Sequence, residues 1–206
     1  MAIPGELRWK RALGPLLLMA GAVVAGAPSA QAAPKGDPIY SYRNQATHRC
    51  LLDGPDIVYV DRRRSGRAAN FAMGLHLHVG SRLPAYCTSM GKVLLAHQDP
   101  AELRALLDRT DLARRGPKTI TAREQLMTAL NRVRHNGIAV NDEELAAGLR
   151  SVAAPVRDRS GRVVAAVNIA IHLTVWNASV ESVVRRLEGP LRHTVEEISA
   201  RLGYRP

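Results

Sequence analysis

Apolar positions from residue 47 onward repeat in two periods. Ile57, Val58, Tyr59 and Val60 follow an Asp53-Gly54-Pro55-Asp56 turn and predict a strand. Phe71, Met73, Leu75, Leu77 and Val79 alternate with Ala72, Gly74, His76 and His78, which predicts a second strand with one apolar face. Val163 to Ile171 is apolar and β-branched. It follows the turn Asp158-Arg159-Ser160-Gly161, and with Ser151 to Arg157 before that turn it predicts a hairpin. Helical spacing falls between the strands. Asp99-Pro100-Ala101-Glu102 combines an N-cap, a proline at the first helical position and a capping acid ahead of Leu103, Leu106 and Leu107. Thr121-Ala122-Arg123-Glu124 repeats the device before Leu126, Met127, Leu130 and Val133, and Asn136-Gly137 ends that helix. Leu191, Val195, Ile198 and Leu202 form a last stripe, with Gly189-Pro190 expected to break the chain before it. This order predicts an α+β domain, an antiparallel sheet with helices packed on it.

Residues 1–46 read differently. Arg8, Lys10 and Arg11 precede an uncharged run from Ala12 to Pro34 that ends in the small-x-small pattern Ala30-Gln31-Ala32. That order suits a secretory signal, and it equally suits aberrant Ala/Gly/Pro-rich sequence upstream of a truncated or frame-shifted frame. Gly14, Pro15, Gly21, Gly26 and Pro28 argue against a membrane-spanning helix, and Gly36, Pro38, Tyr40 and Tyr42 resemble a linker. The expected division is therefore 1–46, a signal-like or aberrant segment with linker, and 47–206, one globular domain.

Composition narrows the classes. Hydrophobic residues make up 46% and aromatics only 4%, so the core must be built from Ala, Val, Leu and Ile. The net charge of +11 is spread over separated arginines such as Arg62–Arg64, Arg114–Arg115 and Arg185–Arg186. No basic recognition helix and no aromatic stacking strand accompanies them, so the charge marks a solvated surface rather than a DNA-binding face. Cys50 and Cys87 have no metal-ligand spacing and read as small buried hydrophobes.

Two segments carry candidate chemistry. In Ala85-Tyr86-Cys87-Thr88-Ser89-Met90-Gly91-Lys92, Thr88 or Ser89 caps a helix whose first-turn N–H groups can seat a carboxylate, although an ordinary capped helix explains the same residues. In the block Gly137 to Pro155, the run Asp142-Glu143-Glu144 is expected to open a short helix, where acids suit the dipole, rather than to bind metal. His76-x-His78 lacks a third ligand, and Cys87 lacks a nucleophile motif.

Taken with Leu52-Asp53-Gly54, Ile57–Val60, Gly80, Leu83–Tyr86 and Gly161–Asn168, these segments resemble the effector-binding domain of the isocitrate lyase regulator (IclR) family of transcriptional regulators over about residues 47–204. Pro84-Ala85-Tyr86 with Thr88-Ser89-Met90-Gly91 looks most like the branch controlling aromatic-acid degradation through β-ketoadipate. The resemblance implies a GAF/PAS-like fold, a curved antiparallel sheet with helices on both faces around a pocket for a small organic acid. It implies dimers or tetramers. Carried over by motif, effector contacts would come from Ser89 and Met90 through backbone N–H groups, from Asn141, Ser151 and Asn168 through side chains, and from Ala170. Asn141 departs from the family's usual acid or serine, Arg157 from an aromatic or histidine, and Ala170 supplies no hydroxyl. Residues 1–46 show nothing of the winged helix-turn-helix of full-length relatives.

The expectation is thus a cytoplasmic, non-enzymatic sensor for a small, aromatic carboxylic acid, with no cofactor and no metal. It would form homo-oligomers, or hetero-oligomers with full-length relatives, and would not by itself bind DNA specifically or a membrane. The rival reading is an exported small-molecule-binding protein of the same fold, and a hydrolase built on Cys87 is a distant third.

Overall fold

The computed structural model describes residues 46–64, 77–174 and 176–206. Among them lie six strands: β1 (Ala46–Asp53), β2 (Asp56–Arg64), β3 (Arg82–Pro84), β4 (Ala139–Asp142), β5 (Leu149–Arg157) and β6 (Val163–His172). The helices are α1 (Ser89–Ala96), α2 (Pro100–Leu107), α3 (Arg123–Asn136) and α4 (Val180–Arg201). All strand pairs are antiparallel in the order β3-β2-β1-β6-β5-β4, so the two terminal hairpins meet along β1 and β6. This is the α+β arrangement that the sequence periods predict.

The β5–β6 hairpin builds both layers of the core. Val152, Ala154, Val156, Ala165, Val167, Ile169 and Ile171 pack with Val183, Leu187, Leu191 and Val195 of α4. The residues between them point the other way, and Ala153 and Ala166 join the cluster that contains α1, α2 and α3. Strand alternation thus puts branched side chains under α4 and small ones under α1. Small residues let α1 sit close to the sheet, and all eight of its residues are buried.

Turn and cap chemistry follow the sequence at most joints. Gly54 (φ 60°) and Gly161 (φ 79°) adopt the left-handed conformation in the two expected hairpin turns. Asp158 Oδ1 accepts hydrogen bonds from the Ser160 and Arg162 N–H groups. Asp99 caps α2 by accepting from the Ala101 and Glu102 N–H groups.

Four local expectations fail. Thr121 does not cap α3; the cap position is Ala122, with no side-chain hydrogen bond. No break occurs at Gly189-Pro190, because α4 runs unbroken through Pro190. A proline and a glycine inside a helix cost about 3 and 1 kcal/mol. Burying Val183, Leu187, Leu191 and Val195 on one face returns about 1.5–3 kcal/mol each, so the four-residue stripe prevails. The acids Asp142-Glu143-Glu144 open no helix: β4 ends at Asp142, and Glu143 turns with φ 56°. Finally, the predicted strand ending at Val79 does not reach that residue. Leu77 is buried, but Val79 is 62% exposed in a turn where Gly80 N–H donates to Tyr59 O. The rest of that strand, residues 71–76, and the segment 1–45 lie outside the described residues.

Candidate functional site

α1 begins where Thr88 Oγ1 accepts the Gly91 N–H (3.1 Å). Among the described residues no hydrogen bond takes the Ser89 or Met90 N–H, so the helix N-terminus presents two donors. Gly91 is required here by space, since a Cβ would run into the backbone of Ala85. The helix start is further tied to the sheet by a hydrogen bond between the Ser89 and Ser151 hydroxyls (2.7 Å).

Strand register brings the remaining candidates to this helix end. Asn141 on β4 lies opposite Ser151 on β5, and Ser151 lies opposite Ala170 on β6. Asn168, two residues along β6, lies opposite His48 on β1. The result is one cavity lined by His48, Tyr59, Leu77, Thr88, Met90, Asn141, Leu145, Leu149, Ser151, Asn168 and Ala170. Five of the six residues carried over by motif line it, and the sixth, Ser89, is bonded to its wall through Ser151. Its free space is about 20 Å³, room for a water rather than a ring, so an aromatic occupant requires the walls to move apart.

The polar side chains of the wall are largely held. Asn141 Nδ2 donates to Cys87 O (2.9 Å), and its Oδ1 accepts the Glu144 N–H (3.0 Å). The Asn168 side chain pairs with His48 rather than with neighbouring backbone among the described residues, its Oδ1 standing 2.9 Å from His48 Nδ1. Behind Asn141 lies a buried ion pair. Lys92 Nζ donates to Val140 O (2.6 Å) and to Glu144 Oε1, both side chains being under a tenth exposed. Burial holds the Glu144 carboxyl above the usual carboxylate range, although Lys92 pulls it down. Glu144 Oε2 is buried with no hydrogen-bond partner.

Other candidates separate from the cavity. Arg157 lies at the end of β5, where it donates to Gly161 O (2.8 Å) and approaches His97. The Cys87 thiol is pushed up to about 12, first by burial and then by Glu144, which disfavours the thiolate that a nucleophile needs. Both cysteines are free and buried. Among the described residues no cluster of three or more histidines, cysteines or acids is placed to hold a metal. His78 sits in an exposed turn with Nδ1 2.9 Å from Val79 O, and His76 lies outside the described residues. No helix among the described residues is long and apolar enough to cross a membrane.

Sequence reasoning missed His48, Tyr59, Leu77, Leu145 and Leu149 as wall residues, and took Thr88 only as a cap. His48 was hidden because β1 begins Ala-Thr-His-Arg, with no apolar alternation from which a buried face could be read.

A curled antiparallel sheet holding a buried, partly polar cavity against a helix N-terminus defines a small-molecule-binding regulatory domain. The chain belongs to the IclR family: residues 31–200 match the family described as bacterial transcriptional regulator IclR C-terminal. It is 40% identical over 159 residues to the Pca regulon regulatory protein of Pseudomonas putida, a match covering 77% of this chain and 54% of that protein. A putative transcriptional regulator from Rhodococcus sp. RHA1 superposes with TM-score 0.71 at 45% identity, covering 77% of this chain and 62% of that one. The inducer-binding domain of the PobR transcription factor from Acinetobacter, a double mutant in complex with 3-hydroxybenzoic acid, superposes with TM-score 0.68 at 26% identity, covering 81% and 98%. The chain spans a little over half the length of curated relatives it matches.

Proposed function

We propose that the chain is the ligand-sensing part of an IclR-type regulator and that it binds a small aromatic carboxylic acid in the α1 cavity. The observation that carries this reading is a cavity walled by Met90, Asn141, Ser151, Asn168 and Ala170 at the start of α1, where the Ser89 and Met90 N–H groups have no acceptor among the described residues. A helix N-terminus favours an anion by about 0.3–1 kcal/mol when exposed and by more when buried. The 3-hydroxybenzoic acid complex of the PobR domain supports an aromatic acid as the occupant. The role is recognition rather than turnover, a reading supported by the transcriptional regulators that the chain resembles, and it is exercised in the cytoplasm where a regulator meets DNA. The division into a separate segment 1–46 and a sensing domain from 47 onward belongs to the same proposal.

Two substitutions test the site. Ser89→Pro deletes one donor, and Asn168→Leu removes the amide at similar volume. Each is expected to weaken binding by about 1–3 kcal/mol, the cost of leaving a charged or buried group unpaired. Calorimetry with a panel of aromatic and short-chain acids reads this out, and unchanged affinity in both folded variants places the pocket elsewhere.

Assembly and DNA binding are tested separately. Self-association, which the family likeness implies, is expected even though the sheet itself covers the Leu191 and Val195 stripe. Light scattering that finds only monomer at high protein concentration removes that expectation. The 206-residue chain alone is expected to hold duplex DNA weakly and without sequence preference, because its sequence shows no recognition-helix pattern and its +11 charge gives only salt-sensitive attraction. Sequence-specific footprints that survive moderate salt count against it.

A further inference from the structure

At one corner of the molecule the β5–β6 turn meets the C-terminal turn of α4. Arg157 N–H donates to Ser199 Oγ (2.9 Å), and a side chain at Gly203 would meet Arg159 at 3.2 Å. Gly161 lies equally close to the Tyr204 ring, which a Cβ there would approach to 3.7 Å. The two segments therefore form one platform rather than two loose ends. Arg159, Arg162, Arg201 and Arg205 stand exposed on it, and Arg157 lies half-buried at its inner edge.

The acids of the chain are committed elsewhere. Among the described residues Arg49, Arg82, Arg123, Arg150 and Arg192 each hold a carboxylate, whereas none of the four exposed arginines of the corner does. Asp158, the acid of this turn, is occupied by its own loop. Its Oδ1 accepts from the N–H and hydroxyl of Ser160 and from the Arg162 N–H. One turn earlier on α4 stand Glu196 and Glu197, and Glu197 faces His193 (3.6 Å). At the inner edge, Arg157 approaches His97, the C-cap of α1. Burial holds the His97 imidazole below its ordinary range; the hydrogen bond to Val93 O opposes this, and the charges of Arg157 and Arg134 lower it further. The field along this edge is thus positive from the end of α1 to the end of α4.

We propose that this arginine corner is a contact surface for the phosphate backbone of duplex DNA, separate from the effector cavity. Phosphate contacts need positioned cations and hydrogen-bond donors, whereas a protein partner requires an apolar or aromatic centre that buries on binding. Among the described residues the one large apolar side chain that is exposed is Val79, in the turn before β3. The corner offers charge without such a centre, which suits a polyanion. Its arginines come from a hairpin turn and a helix end, and neither presents a helix to a groove, so the contact reads no base sequence. The match to transcriptional regulators supports duplex DNA as the polyanion. The weak, sequence-independent hold expected of the chain thereby gains a location.

Fluorescence anisotropy of a short labelled duplex of arbitrary sequence, titrated with the full 206-residue chain at several salt concentrations, tests this. Each phosphate neutralised adds about 0.9 to the slope of log affinity against log salt. The variant Arg159→Gln/Arg162→Gln/Arg201→Gln/Arg205→Gln is expected to lower that slope by about 3–4 and to weaken low-salt binding about tenfold or more. Arg104→Gln/Arg109→Gln/Arg132→Gln/Arg185→Gln removes equal charge from exposed positions elsewhere and should leave the slope within about one of the parent's. Should the first variant fold poorly, Arg162→Gln/Arg205→Gln is expected to lower the slope by about half as much. No measurable binding by the parent overturns the proposal. So does equal loss in both quadruple variants, which assigns the attraction to net charge alone. An oligoglutamate peptide that binds more tightly than the duplex, and is released by the same four substitutions, overturns it in favour of an acidic protein partner. Every one of these outcomes leaves the effector cavity untouched, since no variant alters a residue of its wall.

Discussion

Replacing Lys92 by methionine will destabilise the protein by about 3–5 kcal/mol at neutral pH, the typical cost of removing one partner of a buried ion pair. Lys92 and Glu144 are 4% and 6% exposed, and Glu144 Oε2 already lacks a hydrogen-bond partner. Without the ammonium, the carboxylate keeps only its unfavourable burial. The pH dependence has a definite sign. Burial raises the folded-state pKa of Glu144 above its unfolded value, so the native state binds the proton more tightly. Stability from this group is fully present below the unfolded pKa and is lost as pH rises through the folded one. Loss of Lys92 raises the folded value further. The deficit of Lys92→Met relative to the parent should therefore shrink on acidification through that range. Lys92→Met combined with Glu144→Leu should recover most of the loss, since an apolar pair replaces the ionic one. Chemical unfolding at several pH values measures all of this. A deficit that stays constant from neutral to acid pH would show that Glu144 is not its source.

Gly91→Val is expected to cost about 4 kcal/mol or more, enough to prevent accumulation of soluble protein near physiological temperature. Helix propensity predicts no such loss: even glycine to alanine in a helix gains about 1 kcal/mol. The local geometry reverses the sign, because a side chain here meets the backbone of Ala85 rather than a flexible neighbour. Gly91→Ala should already lower the thermal midpoint, and Gly189→Ala, where a Cβ meets nothing within 4 Å, serves as the control that does not. A Gly91→Ala protein as stable as the parent would mean that α1 does not approach Ala85 so closely.

The β5–β6 hairpin was legible because its turn residues and its branched run agree with each other. The same holds for α2, where cap, proline and apolar spacing coincide. The start of α1 was legible at Thr88, but its burial on all sides was not, since Lys92 reads as a surface residue until Glu144 is brought to it from 52 positions away. Local signals misled where tertiary burial outweighed them. Pro190 reads as a helix break, yet Val183 and Leu187 before it and Leu191 and Val195 after it all pack on the same β5–β6 sheet face, which no local signal reports. The motif positions converge on one cavity because each is placed by a ladder, from Asn141 to Ser151 to Ala170. His48 belongs to the same ladder system and shares the buried face of β1 with Cys50, but the polar run Thr47-His48-Arg49 shows no apolar alternation that would have pointed to it.

The alternation of β6 has a practical reading for anyone who wishes to retune the receptor. Positions 166, 168 and 170 face α1 and the cavity, whereas 165, 167, 169 and 171 face α4. The two sets interleave along a single strand yet contribute to different packing layers. A library confined to the even positions, with Ser151 added from β5, reshapes the binding chamber and leaves every α4 contact of β6 in place. The odd positions then act as an independent dial for robustness, so that selectivity and durability are adjusted by separate sets of codons on one short stretch of gene.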